Sequence, residues 1–263
     1  MILVRHEMRR AWKALMIWTL AIGAFMAITL FMYPEMKGQM DSVSALFSSM
    51  GAFSSAFGLD TLDFGTLRGY YGIECGNTLG IGGALFAALL GIGMLAGEES
   101  SGTAEFLLTH PLNRHEVVTS KLAAMLMQLL ILNVSVLIMA FLSIMAIGEA
   151  VPWKEVILLH TAYFLLQTEL ACICLGLSAF LRKGGVGVGL GIGLAMIMYI
   201  LNILANLSGR AEFLKYLTPF GYADGSEIFS RGAMDTGRLL TGLAMTCMGT
   251  VLAYWKYCRK DIL

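Results

Sequence analysis

Charge is what this sequence has least of. Eighteen Lys and Arg balance eighteen Asp and Glu over 263 residues, so 14% of the chain is charged, against roughly 25% in an ordinary soluble domain. With a formal net charge of zero there is neither a basic face for nucleic acid nor an acidic excess for a basic partner. Cysteine is equally unhelpful. Cys75, Cys172, Cys174, Cys247 and Cys258 are odd in number and contain no repeated CxxC, which excludes a disulfide framework. Cys172-x-Cys174, His160 and eighteen Met are the ingredients of a soft-metal path, but the two Cys of C-x-C point to different helix faces and Met is a common filler of apolar cores, so no metal site is expected. No HExxH or pair of catalytic carboxylates occurs, and Gly176-Leu177-Ser178-Ala179-Phe180 lacks the second Gly of a nucleophile elbow. No catalytic residue is assigned, and the chain is not expected to be an enzyme.

What is abundant is apolar length. Hydrophobic residues make up 57% of the chain and mean hydropathy is +0.74. A helix needs about 20 mostly apolar residues to cross a bilayer. Six runs reach that length: Leu15 to Tyr33, Gly72 to Gly97, Leu122 to Ile147, Glu155 to Leu181, Gly185 to Leu207 and Gly237 to Tyr257. Backbone groups in lipid must be satisfied internally, and a barrel would show shorter alternating segments, so these runs predict helices. The expected fold is an all-α membrane protein: one transmembrane domain over 1–263 with six spans.

Residues 1–13 place Val4, Met8, Ala11 and Trp12 opposite Arg5, Arg9, Arg10 and Lys13. That pattern predicts an N-terminal amphipathic helix in the interface, or the solvated start of a long first helix. With both termini cytoplasmic, the inner segments hold eleven of the eighteen Lys and Arg, including the tight Arg182-Lys183 hairpin, as the positive-inside rule favours. The 34–71 segment becomes an outer loop, in which Val43, Leu46, Phe47, Met50, Phe53 and Phe57 recur at helical spacing. A second outer segment, Ser208 to Thr236, contains Pro219-Phe220-Gly221-Tyr222.

Glycines recur every fourth residue at Gly72, Gly76 and Gly80 on the second span and at Gly185, Gly189 and Gly193 on the fifth. Such faces let backbones approach closely, within the chain or between two chains. Polar groups inside spans are the default candidates for a substrate pathway: Glu74, Asn77, His160, Tyr163, Gln167, Glu169 and Asn202. Hydrogen bonding between helices is an equally open reading of each.

The most structured connection runs from Glu98 to Lys121. Gly102 can break the preceding helix, Thr103 to Leu108 can form one or two turns, and Pro111 ends them. Asn113 with Glu116 three residues on then starts a new helix. Phe106, Leu107 and Leu108 leave apolar surface beside Glu98, Glu99 and Glu105, a knob suited to a partner's groove.

This loop resembles the signature of type-2 ATP-binding-cassette (ABC) exporter permeases. In them an acidic residue and Ser-Gly-Thr precede an apolar half-turn, a Pro, a basic residue and a Lys: here Glu99, Ser101, Gly102, Thr103, Leu107, Leu108, Pro111, Arg114 and Lys121. The basic start, Phe57-Gly58-Leu59-Asp60, Gly69-Tyr70-Tyr71 and Arg259-Lys260-Asp261-Ile262 extend the resemblance over nearly the whole chain. It implies a half-transporter in a bacterial plasma membrane, with 98–121 as a cytoplasmic coupling helix seated in a separate ATPase. The implied partners are two cytoplasmic ABC ATPase subunits, a second permease chain, identical or homologous, and membrane lipid. The chain carries no cofactor of its own, since ATP and Mg belong to the ATPase. Relatives export peptide antibiotics, other drugs, lipids, glycans or ions, and an amphipathic substrate, a peptide antibiotic, drug or lipid-like molecule, is expected here. The competing reading is a proton-coupled secondary transporter using Glu74 or Glu169, although the halves show no internal repeat.

Overall fold

The computed structural model describes residues 2–39, 65–100, 113–181 and 184–259, together with positions 51, 54, 56, 62 and 63. The expected amphipathic segment around Val43 to Phe57 and the coupling segment 101–112 fall outside them, apart from those isolated positions. The described residues form helices: α1 (Ile2–Gly38), α2 (Leu67–Tyr70), α3 (Gly76–Ser100), α4 (Arg114–Ala146), α5 (Trp153–Ser178), α6 (Gly184–Leu207), α7 (Gly225–Arg231) and α8 (Thr236–Arg259). A π-helical turn, Tyr71–Cys75, joins α2 to α3 in one rod. Among the described residues there is no strand.

Five of these elements are long and apolar enough to cross a bilayer: α1, the α2–α3 rod, α4, α5 and α6. The helix α8 has 24 residues but a more polar composition, with Arg238, Lys256 and Arg259 near its ends. The interfacial helix and first span expected from the sequence are one uninterrupted helix, α1. At 37 residues it is about 55 Å long at 1.5 Å per residue, well beyond the roughly 30 Å hydrocarbon core. It runs through Pro34 and ends with Lys37 paired to Glu149 at 2.7 Å.

The α2–α3 rod and α5 form the inside of the bundle. In their most apolar stretches 67% and 61% of residues are buried, against 28–39% for α1, α4 and α6. The outer helices turn Phe25, Ile28, Phe31, Leu130, Ile138, Leu142, Ile197 and Ile200 outward. In water this would be an exposed apolar belt, whereas lipid tails are a matched solvent for it. Inside, close approach of backbones replaces the hydrophobic effect as the source of packing energy. A Cβ on Gly91 would overlap the Ala171 carbonyl, and one on Gly249 would lie 2.6 Å from the Cys172 carbonyl. Those contacts set α3 against α5 and α5 against α8.

One end of the bundle, carrying residues 2, 100, 114 and 259, is pinned through the base of α4. Asn113 N-caps the helix in an extended conformation, and its N–H points to Glu116 Oε2 at 3.4 Å. Arg114 donates to the Tyr257 carbonyl at 3.2 Å, and His115 stacks on Tyr254. Lys121, fully buried, donates to Glu7 of α1 at 2.9 Å. The base of α4 therefore holds both α1 and α8.

Candidate functional site

At the opposite end the chain between α6 and α8 folds back onto the bundle. Gly209–Tyr216 is a 3-10 helix, and Pro219–Gly221 is a 3-10 turn that Thr218 caps with its side chain while its own hydroxyl donates to the Met198 carbonyl at 2.8 Å. Asp224 caps α7: its Oδ1 accepts from the Ser226 N–H at 2.9 Å and from the Ser226 hydroxyl at 2.6 Å. A buried cation holds this assembly to α8. Arg238, 4% exposed, donates to Glu227 at 2.8 Å, to Glu212 at 3.2 Å and to the Gly221 carbonyl at 3.0 Å. Lys215 adds a second cation to Glu227 at 2.6 Å. Burial pushes the Glu227 carboxyl up, but Lys215 and Arg238 outweigh it and hold the group below its ordinary range. Asp235 also sits low, because the Arg238 N–H donates to it.

The folded-back segment reaches a buried carboxylate. Tyr222 donates its hydroxyl to Glu169 of α5 at 2.9 Å, and Gly242 of α8 leaves the room for both groups. Of the sequence-predicted polar residues of α5, His160, Tyr163 and Gln167 lie along one row facing the rod, whereas Glu169 lies toward α8. His160 bonds the Tyr71 hydroxyl at 2.9 Å, Tyr163 covers Gly76 and Gly80, and Gln167 lies over Gly83. Gln167 also accepts from Asn133 of α4 at 2.6 Å. His160, Tyr163 and Gln167 thus make hydrogen bonds and close contacts with the rod and with α4, while Glu169 bonds the folded-back segment. Glu74 is half-buried on the π turn, where its backbone carbonyl accepts from Thr78.

Asn77 and Asn202 have a different fate. With Tyr163 they line a cavity of about 30 Å³ at this end, between the rod, α5, α6 and the folded-back segment. Tyr199, Phe220 and Asp224 complete its wall. Sequence reading missed all three, although Asp224 with Ser226 and Glu227 following has the pattern of a helix N-cap.

The glycine faces divide. Gly72 meets Phe229 of α7, while Gly76 and Gly80 meet Tyr163, so the first set packs inside the chain. On α6 the inward glycines are Gly187, against Ile92, and Gly191, against the Ala88 carbonyl. A Cβ at Gly189 or Gly193 would meet nothing within 4 Å, and the side-chain surroundings of Gly185 lie outside the described residues. Of the coupling residues, only Arg114 has a described side chain.

Long apolar helices with outward apolar faces, and polar groups gathered inside, define a multi-pass membrane protein. The ABC-2 family transporter protein model matches residues 1–262, and the chain belongs to that family, whose members are ABC transporter permeases. No curated protein matches the chain.

Proposed function

We propose that this chain is the membrane-spanning half of an ATP-driven exporter that moves an amphipathic substrate, a peptide antibiotic, drug or lipid-like molecule, out of the cytoplasm. The observation that carries the reading is the family match over residues 1–262 on a chain whose described helices are almost all given to the bundle. In this reading α8 is the sixth span, both termini are cytoplasmic and the cavity end faces outward. The arrangement of cations supports that orientation: Arg5, Arg9, Arg10 and Lys13 are exposed at the α1 start, and Lys256 and Arg259 end α8.

Glu98 and Glu99 at the end of α3, with Ser101, Gly102, Thr103, Glu105, Phe106, Leu107, Leu108 and Pro111 after it, form the coupling segment, and Arg114 stands at its far edge. Closure of two ATPase subunits on ATP moves this segment, and the base of α4 passes the movement to α1 through Lys121–Glu7 and to α8 through Arg114 and His115. A second permease chain lies along α6, where Gly189 and Gly193 leave a face that the described residues do not fill.

Replacing Glu98, Glu99 and Phe106 by Ala together tests the coupling assignment. The variant is expected to stay in the membrane at wild-type yield and to lose ATPase binding. Undiminished binding contradicts the assignment.

A further inference from the structure

We propose that the cavity between Tyr163, Tyr199 and Asp224 is a binding site for a primary ammonium group, and that the exported substrate carries one. The wall combines the elements that recognise such a group: one carboxylate, two phenol rings, and an amide oxygen without a partner. Asn202 is 8% exposed, and its Oδ1 has no hydrogen-bond partner among the described residues. A buried acceptor in that condition is costly unless a donor arrives. Asp224 supplies the charge. Its Oδ1 is engaged in capping α7, whereas among the described residues Oδ2 has Asn206 alone, at the long distance of 3.4 Å. Tyr163 and Tyr199 both lie within electrostatic reach of that carboxylate, and Tyr199 is held edge-on to Phe220 with ring centroids 5.3 Å apart.

No Lys, Arg or His is among the described lining residues. Of the cations at this end, Arg238, Lys215 and Arg231 pair with Glu227 or Glu212, Lys37 with Glu149 and Arg68 with Glu155. The cavity therefore presents negative charge, acceptors and π faces, a set that attracts a cation over an aromatic ring. Size selects the kind. About 30 Å³ holds one or two water-sized groups, room for –NH3+ and not for a quaternary head. The ammonium donates to Asp224 Oδ2 and Asn202 Oδ1 and leaves the substrate's apolar body outside the cavity.

Binding is measured on the purified full-length chain in detergent, so its outcome is separate from that of the permease reading on which the substrate claim rests. Methylammonium chloride is titrated while the unfolding midpoint is followed, with tetramethylammonium and sodium chloride at equal ionic strength. A ligand held only by the folded state raises that midpoint saturably, here by about 2–5 °C. The rise is expected with methylammonium alone, to vanish in Asp224→Asn and Asn202→Leu, and to persist in Glu149→Gln at the same end. Asn caps a helix as well as Asp, so the first variant keeps α7. An absent rise, an equal rise in Asp224→Asn, or an equal rise with tetramethylammonium or sodium overturns the proposal. A saturable rise in a chain that binds no ATPase leaves the ammonium site standing and removes only its link to export.

Discussion

Single side chains decide how the two ends of this bundle are held. Lys121 is fully buried and Glu7 is 5% exposed, an ion pair at the junction of α1 and α4. Removing one member of a buried pair typically costs about 3–5 kcal/mol. Glu7→Ala is therefore expected to lower the unfolding midpoint in detergent sharply, and the exchange of both charges, Glu7→Lys with Lys121→Glu, to recover much of the loss. Gln128 makes the opposite case. It is wholly buried, and neither of its amide atoms has a partner among the described residues. Gln128→Leu keeps the volume and removes the unsatisfied groups, so the midpoint should rise, by about 1–2 kcal/mol in stability. Glu227 gives a pH dependence. Its folded-state value lies below the ordinary 4.5, so its contribution is complete above that value and is lost as pH falls through the lower one. Wild type should lose thermal stability more steeply than Glu227→Gln between pH 5 and about 3.

At the scale of the helix, apolar length was legible and glycine register was not. Each of the six runs lies within a helix to within three residues, because a span of apolar residues with charged ends has few other stable forms in lipid. On α6, though, glycine occurs at every second position from Gly185 to Gly193, which places it on opposite faces together. Spacing could identify a four-residue repeat but could not show that Gly187 and Gly191, rather than Gly189 and Gly193, would meet α3. The pair Gly176 and Gly249, which brings α5 and α8 into backbone contact, is 73 residues apart in sequence and has no local pattern at all. Gly249→Leu is expected to prevent folding or strip the midpoint by many degrees, since backbone atoms of Cys172 and Ile173 stand where its Cβ would go. Gly189→Leu and Gly193→Leu should leave the single chain's stability nearly unchanged and weaken its self-association, as read by crosslinking or by mass in detergent.

Intramembrane polar residues were picked out by their cost in lipid, and that signal did not say what they do. His160, Gln167 and Glu169 each found a partner on another helix or on the folded-back segment. Asn202 has no such partner among the described residues, and its Oδ1, like His160 Nδ1 and Gln167 Nε2, is buried without one. The difference lies in contacts across 34 to 89 residues of chain, where no periodicity reaches. The folded-back segment was the least legible part. Ser208 to Thr236 reads as a short connection, yet Asp224, Glu227 and Arg238 assemble it into a cap over the cavity through capping and ion pairs rather than apolar periodicity.

For the whole molecule, the pinned base of α4 and the cavity at the opposite end lie on one rigid framework. The inner rod and α5 connect them through a row of close contacts from Gly76 and Tyr163 to Gly91 and Ala171. In the proposed half-transporter this row is the packed route by which motion at the coupling segment reaches the cavity. The measurement that tests this most directly is purification of the tagged chain from its native membranes under mild detergent, followed by an assay of the eluate for ATP hydrolysis. The account predicts an ABC ATPase in equal number to the permease chains, and hydrolysis that disappears when Glu98, Glu99 and Phe106 are replaced by Ala. A stable, monodisperse chain that carries no ATPase and supports no hydrolysis would contradict it.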